Sequence, residues 1–146
     1  MLSAAGVRAE IDRRSGYLVC YTAHGKALVC DTLRPNFWRA STDNDWRGWR
    51  VGQIAGCWKE MPGRLRTEGI RIDEAAGTVR VEKGVPDSVR LTLVYTLDGT
   101  GALAVAYDLQ IAGQLPEPLR AGLRTRVPNT LGRMAYFGKG PQGKLL

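Results

Sequence analysis

The chain has 146 residues, of which 44% are hydrophobic and 24% charged, with a formal net charge of +7. That is enough for one domain with a buried core, with no apolar run near the roughly 20 residues of a membrane-spanning helix and no long apolar stretch of a secretory signal in the opening MLSAAGVRAEID. Three cysteines (Cys20, Cys30, Cys57) and one histidine (His24) build neither a paired disulfide framework nor a four-ligand zinc site, and an odd number of scattered thiols fits a reducing, cytoplasmic compartment.

In chain order the hydrophobic period is mostly two. Val7, Ala9 and Ile11 alternate with Arg8, Glu10 and Asp12, which predicts a half-buried strand. Ser15-Gly16 marks a turn, residues 17–22 (YLVCYT) a second strand, His24-Gly25 another turn, and residues 27–30 a third strand. Residues 33–61 break this rhythm. They hold all four tryptophans (Trp38, Trp46, Trp49, Trp58) and the polar cluster Ser41-Thr42-Asp43-Asn44-Asp45. Val51, Ile54, Ala55 and Trp58 recur at helical spacing, so one short helix is expected within a long loop, although Gly52 and Gly56 oppose it. Further strands are expected over residues 65–72, 78–82, 88–97, 102–111 and 119–127. Ala76-Gly77, residues 84–87, Asp98-Gly99 and residues 113–118 separate them. Many short strands at this spacing argue an all-β antiparallel sandwich, not a parallel sheet with crossover helices.

Few residues advertise chemistry. His24 lies in a turn with no nucleophile pattern nearby, and Cys20 and Cys30 fall in strands, where free cysteine is ordinarily a small hydrophobe. Asp43-Asn44-Asp45 offers two carboxylates and an amide for a hard cation or a polar substrate. It lacks EF-hand spacing, and Asx side chains commonly bind their own loop backbone instead. Carboxyls two residues apart are also poorly placed to flank a glycosidic bond. Gly138-Lys139-Gly140-Pro141 lacks the pattern and the strand-to-helix context of a phosphate loop. The tryptophans, with neighbouring arginines, suit the faces of sugars or bases as well as a core.

The run from Leu33 to Asp45, LRPNFWRASTDND, resembles the RPNFWRAPTDND signature of the C-terminal small-chain domain of β-galactosidases in glycoside hydrolase family 2. Other pieces agree in order: residues 12–18 (DRRSGYL) resemble that family's opening hairpin, and residues 25–28 its following strand. Residues 120–128 (RAGLRTRVP) and 136–141 (YFGKGP) resemble two later motifs. The likeness spans nearly the whole chain.

The resemblance implies a single domain over residues 1–146, the N-terminal half of a galactose-mutarotase-like supersandwich. The two catalytic glutamates of the family's retaining mechanism lie in a separate barrel, so this chain is expected to hold no catalytic residue and to be inactive alone. Its role would be to pack on the barrel and border the sugar pocket. Arg39, Asp43, Asn44, Asp45 and Trp46 are the expected pocket-side residues. Asp43 and Asp45 would orient the loop, Trp46 would offer a ring to the sugar, and residues 46–52 match a mobile pocket-side loop. No metal ligands are expected here, the family's Mg and Na ions being held mainly elsewhere. Partners would be the barrel, the second half of the sandwich, the galactoside and a further copy of the chain. Ser41 stands where the family has Pro, one extra residue follows Asp45, and Gln142-Gly143-Lys144 replaces a Glu and an aromatic. A chain ending there is expected to be an excised or truncated half with exposed strand edges. Two other readings remain open at this point: a stand-alone carbohydrate-binding module that uses its tryptophans, and a nucleic-acid-binding domain that uses its basic charge.

Overall fold

The computed structural model describes residues 1–40, 42–47 and 50–133, with only the backbone of Asn44 and Trp46. Strands β1 (Leu2–Ala4), β2 (Val7–Ile11), β3 (Leu18–Ala23) and β4 (Lys26–Val29) form an antiparallel sheet in that order. Ala5-Gly6 and His24-Gly25 each hold two successive positive φ angles (48° and 76°, 48° and 77°). That is the two-residue hairpin turn whose twist matches its flanking strands. The chain continues through β5 (Arg34–Pro35) and three short helices, α1 (Asp43–Arg47), α2 (Val51–Ile54) and α3 (Cys57–Arg64). It then enters a second antiparallel sheet, β6 (Arg66–Asp73), β7 (Thr78–Val85), β8 (Val89–Leu97) and β9 (Leu103–Ile111), also in sequential order. Last among the described residues is β10 (Leu123–Arg124), paired with β5.

The two four-stranded sheets share one core. Register places Val79, Tyr95 and Val105 in one row and Val81, Leu93 and Tyr107 in the next. Side chains two apart share a face, so this face turns inward against Leu2, Val7, Ala9 and Leu18 of the first sheet. Polar ties cross the same interface: Tyr95 Oη donates to the Gly16 carbonyl at 3.3 Å, and Thr67 Oγ1 to the Arg14 carbonyl at 3.1 Å. Gly16 has φ +70°, and a Cβ there would overlap Val81 Cγ1, so the sheets close only on glycine. Lys83 is 2% exposed. Its ammonium donates to the Ser15 carbonyl (2.6 Å) and Thr67 Oγ1 (2.8 Å) and lies 4.4 Å from the centre of the Tyr17 ring. Burial, followed by the Arg66 charge, holds its pKa below the ordinary lysine value.

The expected all-β sandwich is therefore present, with local differences in its elements. Residues 119–127 contribute only the two-residue β10, paired with β5 and flanked by the Asn36 N–H donating to the Gly122 carbonyl at 2.8 Å. The helical period read from Val51 to Trp58 divides into α2 and α3 around Ala55 and Gly56, and α3 runs on to Arg64. The Asp43–Asp45 cluster begins a helix, not a loop. Trp58 is fully buried, with its ring 5.2 Å from that of Phe37 and its Nε1 donating to the Pro116 carbonyl at 2.7 Å. It thereby pins the helical segment to the connection after β9. Among the described residues no helix is long and apolar enough to cross a membrane.

Candidate functional site

Asp45 organises the signature segment. Its Oδ2 accepts from Arg39 Nη1 (2.7 Å) and its Oδ1 from Arg39 Nη2 (3.2 Å), a bidentate pairing of guanidinium and carboxylate. Oδ2 also accepts from the Thr42 backbone N–H (2.6 Å) and the Thr42 hydroxyl (3.0 Å). Thr42 precedes α1 and Asp45 is its third residue, so the side chain reaching back to the Thr42 N–H is one half of a capping box. Arg39 Nη1 further donates to the Ala40 carbonyl at 3.0 Å. These bonds fix the bend from Arg39 into α1. They also hold the Asp45 carboxyl down at about 2, with the Arg39 hydrogen bond the largest cause and the Thr42 backbone bond next.

Of the five expected pocket-side residues, the fold brings Arg39 and Asp45 into contact. Asp43 is exposed at the start of α1. The side chains of Asn44 and Trp46 lie outside the described residues, as do Ser41, Gly48, Trp49 and the 136–141 motif. Beside Asp45 opens a recess of about 460 Å³, lined by Asp45, Arg50, Gly52, Gln53 and Lys59. Arg50 has φ 46° and caps α2 through its carbonyl, which accepts from Gln53 N and Ile54 N. Lys59 Nζ lies 4.6 Å from the centre of the Trp38 ring, a cation–π contact that places an ammonium at the rim. Cationic donors, an amide and a carboxylate around one small recess suit a polar ligand with several hydroxyls.

Sequence reading missed Thr42, Arg50 and Lys59. Thr42 was accessible through the Thr-x-x-Asp spacing of a helix start. Arg50 and Lys59 carry no local signal, since only the packing of α2 and α3 turns them toward Asp45. Elsewhere His24 is an exposed turn residue. Cys20 and Cys57 are half-buried, Cys30 is exposed beyond the end of β4, and all three are free. Among the described residues no three His, Cys, Asp or Glu side chains gather as a metal-binding group.

A β-galactosidase from Oenococcus oeni is 29% identical over 146 residues, covering 90% of this chain and 14% of the relative. A β-galactosidase from Priestia megaterium is 26% identical over 136 residues, covering 91% of this chain and 13% of the relative. The chain thus spans only about a seventh of the length of these relatives. The family model for the β-galactosidase small chain matches residues 3–144. The chain belongs to the β-galactosidase small-chain family.

Proposed function

We propose that this chain is the N-terminal part of the small-chain domain of a glycoside hydrolase family 2 β-galactosidase, a single domain over residues 1–146. In this reading it packs on the catalytic barrel and forms one wall of the pocket for terminal β-galactosides, in a galactose-mutarotase-like sandwich. The observation that carries the reading is the Arg39–Asp45–Thr42 lock inside the family-matched segment, directly beside a polar recess. A bidentate ion pair and a helix cap give that bend a fixed shape, which is what a sugar-binding wall requires. Asp45 is then a positioning residue, and Arg50, Gln53 and Lys59 present the groups that meet hydroxyls. Hydrolysis itself falls to a carboxylate pair across the glycosidic bond, supplied by the barrel. The three free thiols support a cytoplasmic setting.

A nitrophenyl β-galactoside assay tests the reading in two stages. The 146-residue chain alone is expected to give no turnover, and turnover above background would refute its non-catalytic role. Co-expressed with the barrel-bearing remainder of its enzyme it is expected to hydrolyse the substrate. In that assembly Asp45→Ala is expected to raise KM about tenfold or more with a smaller change in kcat. An unchanged KM would remove the pocket-wall assignment.

A further inference from the structure

The basic charge is concentrated at one end of the sequence. Residues 118–146 hold six Lys and Arg and no Asp or Glu, so they carry six of the seven excess positive charges. The β5–β10 ladder gathers part of that charge into a built feature. Arg34 and Arg124 are direct cross-strand partners, which puts both side chains on one face, and Arg126 follows two residues later on the same side. Thr125 between them turns the other way and donates its hydroxyl to the Asp31 carbonyl at 2.6 Å. Cys30 N–H donates to the Arg126 carbonyl at 2.8 Å, so both ends of this short segment are held. The result is a recess of about 260 Å³ lined by Asp31, Arg34, Arg124, Thr125 and Arg126.

Like charges directly opposite on paired strands are unfavourable unless something neutralises them. Asp31 does so only in part: its Oδ1 accepts from Arg34 Nη2 at 3.0 Å and from Thr32 N–H at 2.7 Å. Arg124 and Arg126 form no ion pair among the described residues. Three guanidiniums against one carboxylate leave two positive charges at the recess. We propose that the Arg34–Arg124–Arg126 recess binds a dianionic phosphoryl group, either free phosphate or the terminal phosphate of a larger molecule. Planar guanidinium forks pair two-to-two with tetrahedral oxyanions. The charge count selects a dianion over a lone carboxylate or a phosphodiester, each of which carries one negative charge. Asp31 serves to aim Arg34.

Calorimetric titration of the 146-residue chain with inorganic phosphate, at constant ionic strength to keep screening equal, tests this directly. Saturable one-site binding is expected. Arg124→Gln/Arg126→Gln is expected to weaken it at least about tenfold, while Arg71→Gln/Arg90→Gln, exposed on the second sheet, leaves it unchanged. Circular dichroism of each variant separates lost binding from lost fold. Arg124→Lys/Arg126→Lys keeps the charge without the forks and is expected to fall between wild type and the Gln pair. Phenyl phosphate titrated in parallel assigns the source: tighter binding than phosphate indicates a larger phosphorylated molecule, and weaker binding the free ion. Absence of saturation, an unaffected Gln pair, or acetate competing as well as phosphate would overturn the proposal.

Discussion

Asp45 takes four hydrogen bonds from two residues, and its titration should report them. Carboxyl NMR is expected to place its midpoint at about 2, and Arg39→Gln to move it up toward the ordinary 3.8. A depressed carboxylate stabilises the fold above its unfolded pKa, and that stabilisation is lost as pH falls. The bend before α1 should therefore loosen between about pH 4 and 2, with Arg39→Gln removing most of this dependence. The tyrosines make a second comparison. Tyr95 Oη has the Gly16 carbonyl as acceptor, whereas the buried hydroxyls of Tyr17 and Tyr107 have no partner among the described residues. Tyr95→Phe is expected to cost about 1 kcal/mol and Tyr107→Phe to be neutral or stabilising, measured by urea denaturation. At this scale the sequence supplied names more readily than partners. Arg39 and Asp45 stood out through the family signature, but their pairing depends on a bend six residues long that no local period encodes.

Elements differed in how far local chemistry specified them. The β2–β3–β4 and β6–β9 strands follow from alternation and turn residues, because register and turn type act over two to five residues. The short helices do not. Asp and Asn are poor helix formers, and five residues cannot hold a helix without help; the Thr42–Asp45 cap and the Arg39 ion pair provide that help for α1. In α2 and α3 the stabilisation comes from burial of Val51, Ala55, Trp58 and Met61. Trp58→Ala should accordingly cost about 3–5 kcal/mol. Trp58→Phe, which keeps a ring against Phe37 but loses the Pro116 bond, is expected to cost less. A thermal melt of both variants against the unsubstituted chain, followed by circular dichroism, checks the order. Equal losses would mean that the hydrogen bond, not the packing, holds the helices in place.

For the whole molecule, buried phenols set an alkaline limit. Burial pushes Tyr95 and Tyr107 up to about 12 and Tyr17 higher still. A raised pKa gives stability that is complete below the unfolded value of 10 and lost as pH climbs through the folded one. Unfolding between about pH 10 and 12 is expected, with tyrosinate absorbance and loss of sheet signal rising together. Separate midpoints would contradict the linkage. We also propose self-association of the chain through β9, an edge strand among the described residues, with small, exposed Ala104 and Ala106 on its outer face. Sedimentation should show concentration-dependent association that Ala104→Lys/Ala106→Lys reduces; a monomer at all concentrations would end that idea.

Lys83 bears on how the two sheets choose their alignment. Its ammonium finds its oxygen partners, Ser15 O and Thr67 Oγ1, at one point between the sheets. Thr67 belongs to the same sheet as Lys83, so sliding one sheet past the other would take away the Ser15 carbonyl alone, at a cost of about 1–3 kcal/mol for the lost charge-assisted bond. An apolar residue of similar length would be indifferent to such a slip. The lysine thus favours the alignment that brings the Ser15 turn over β7.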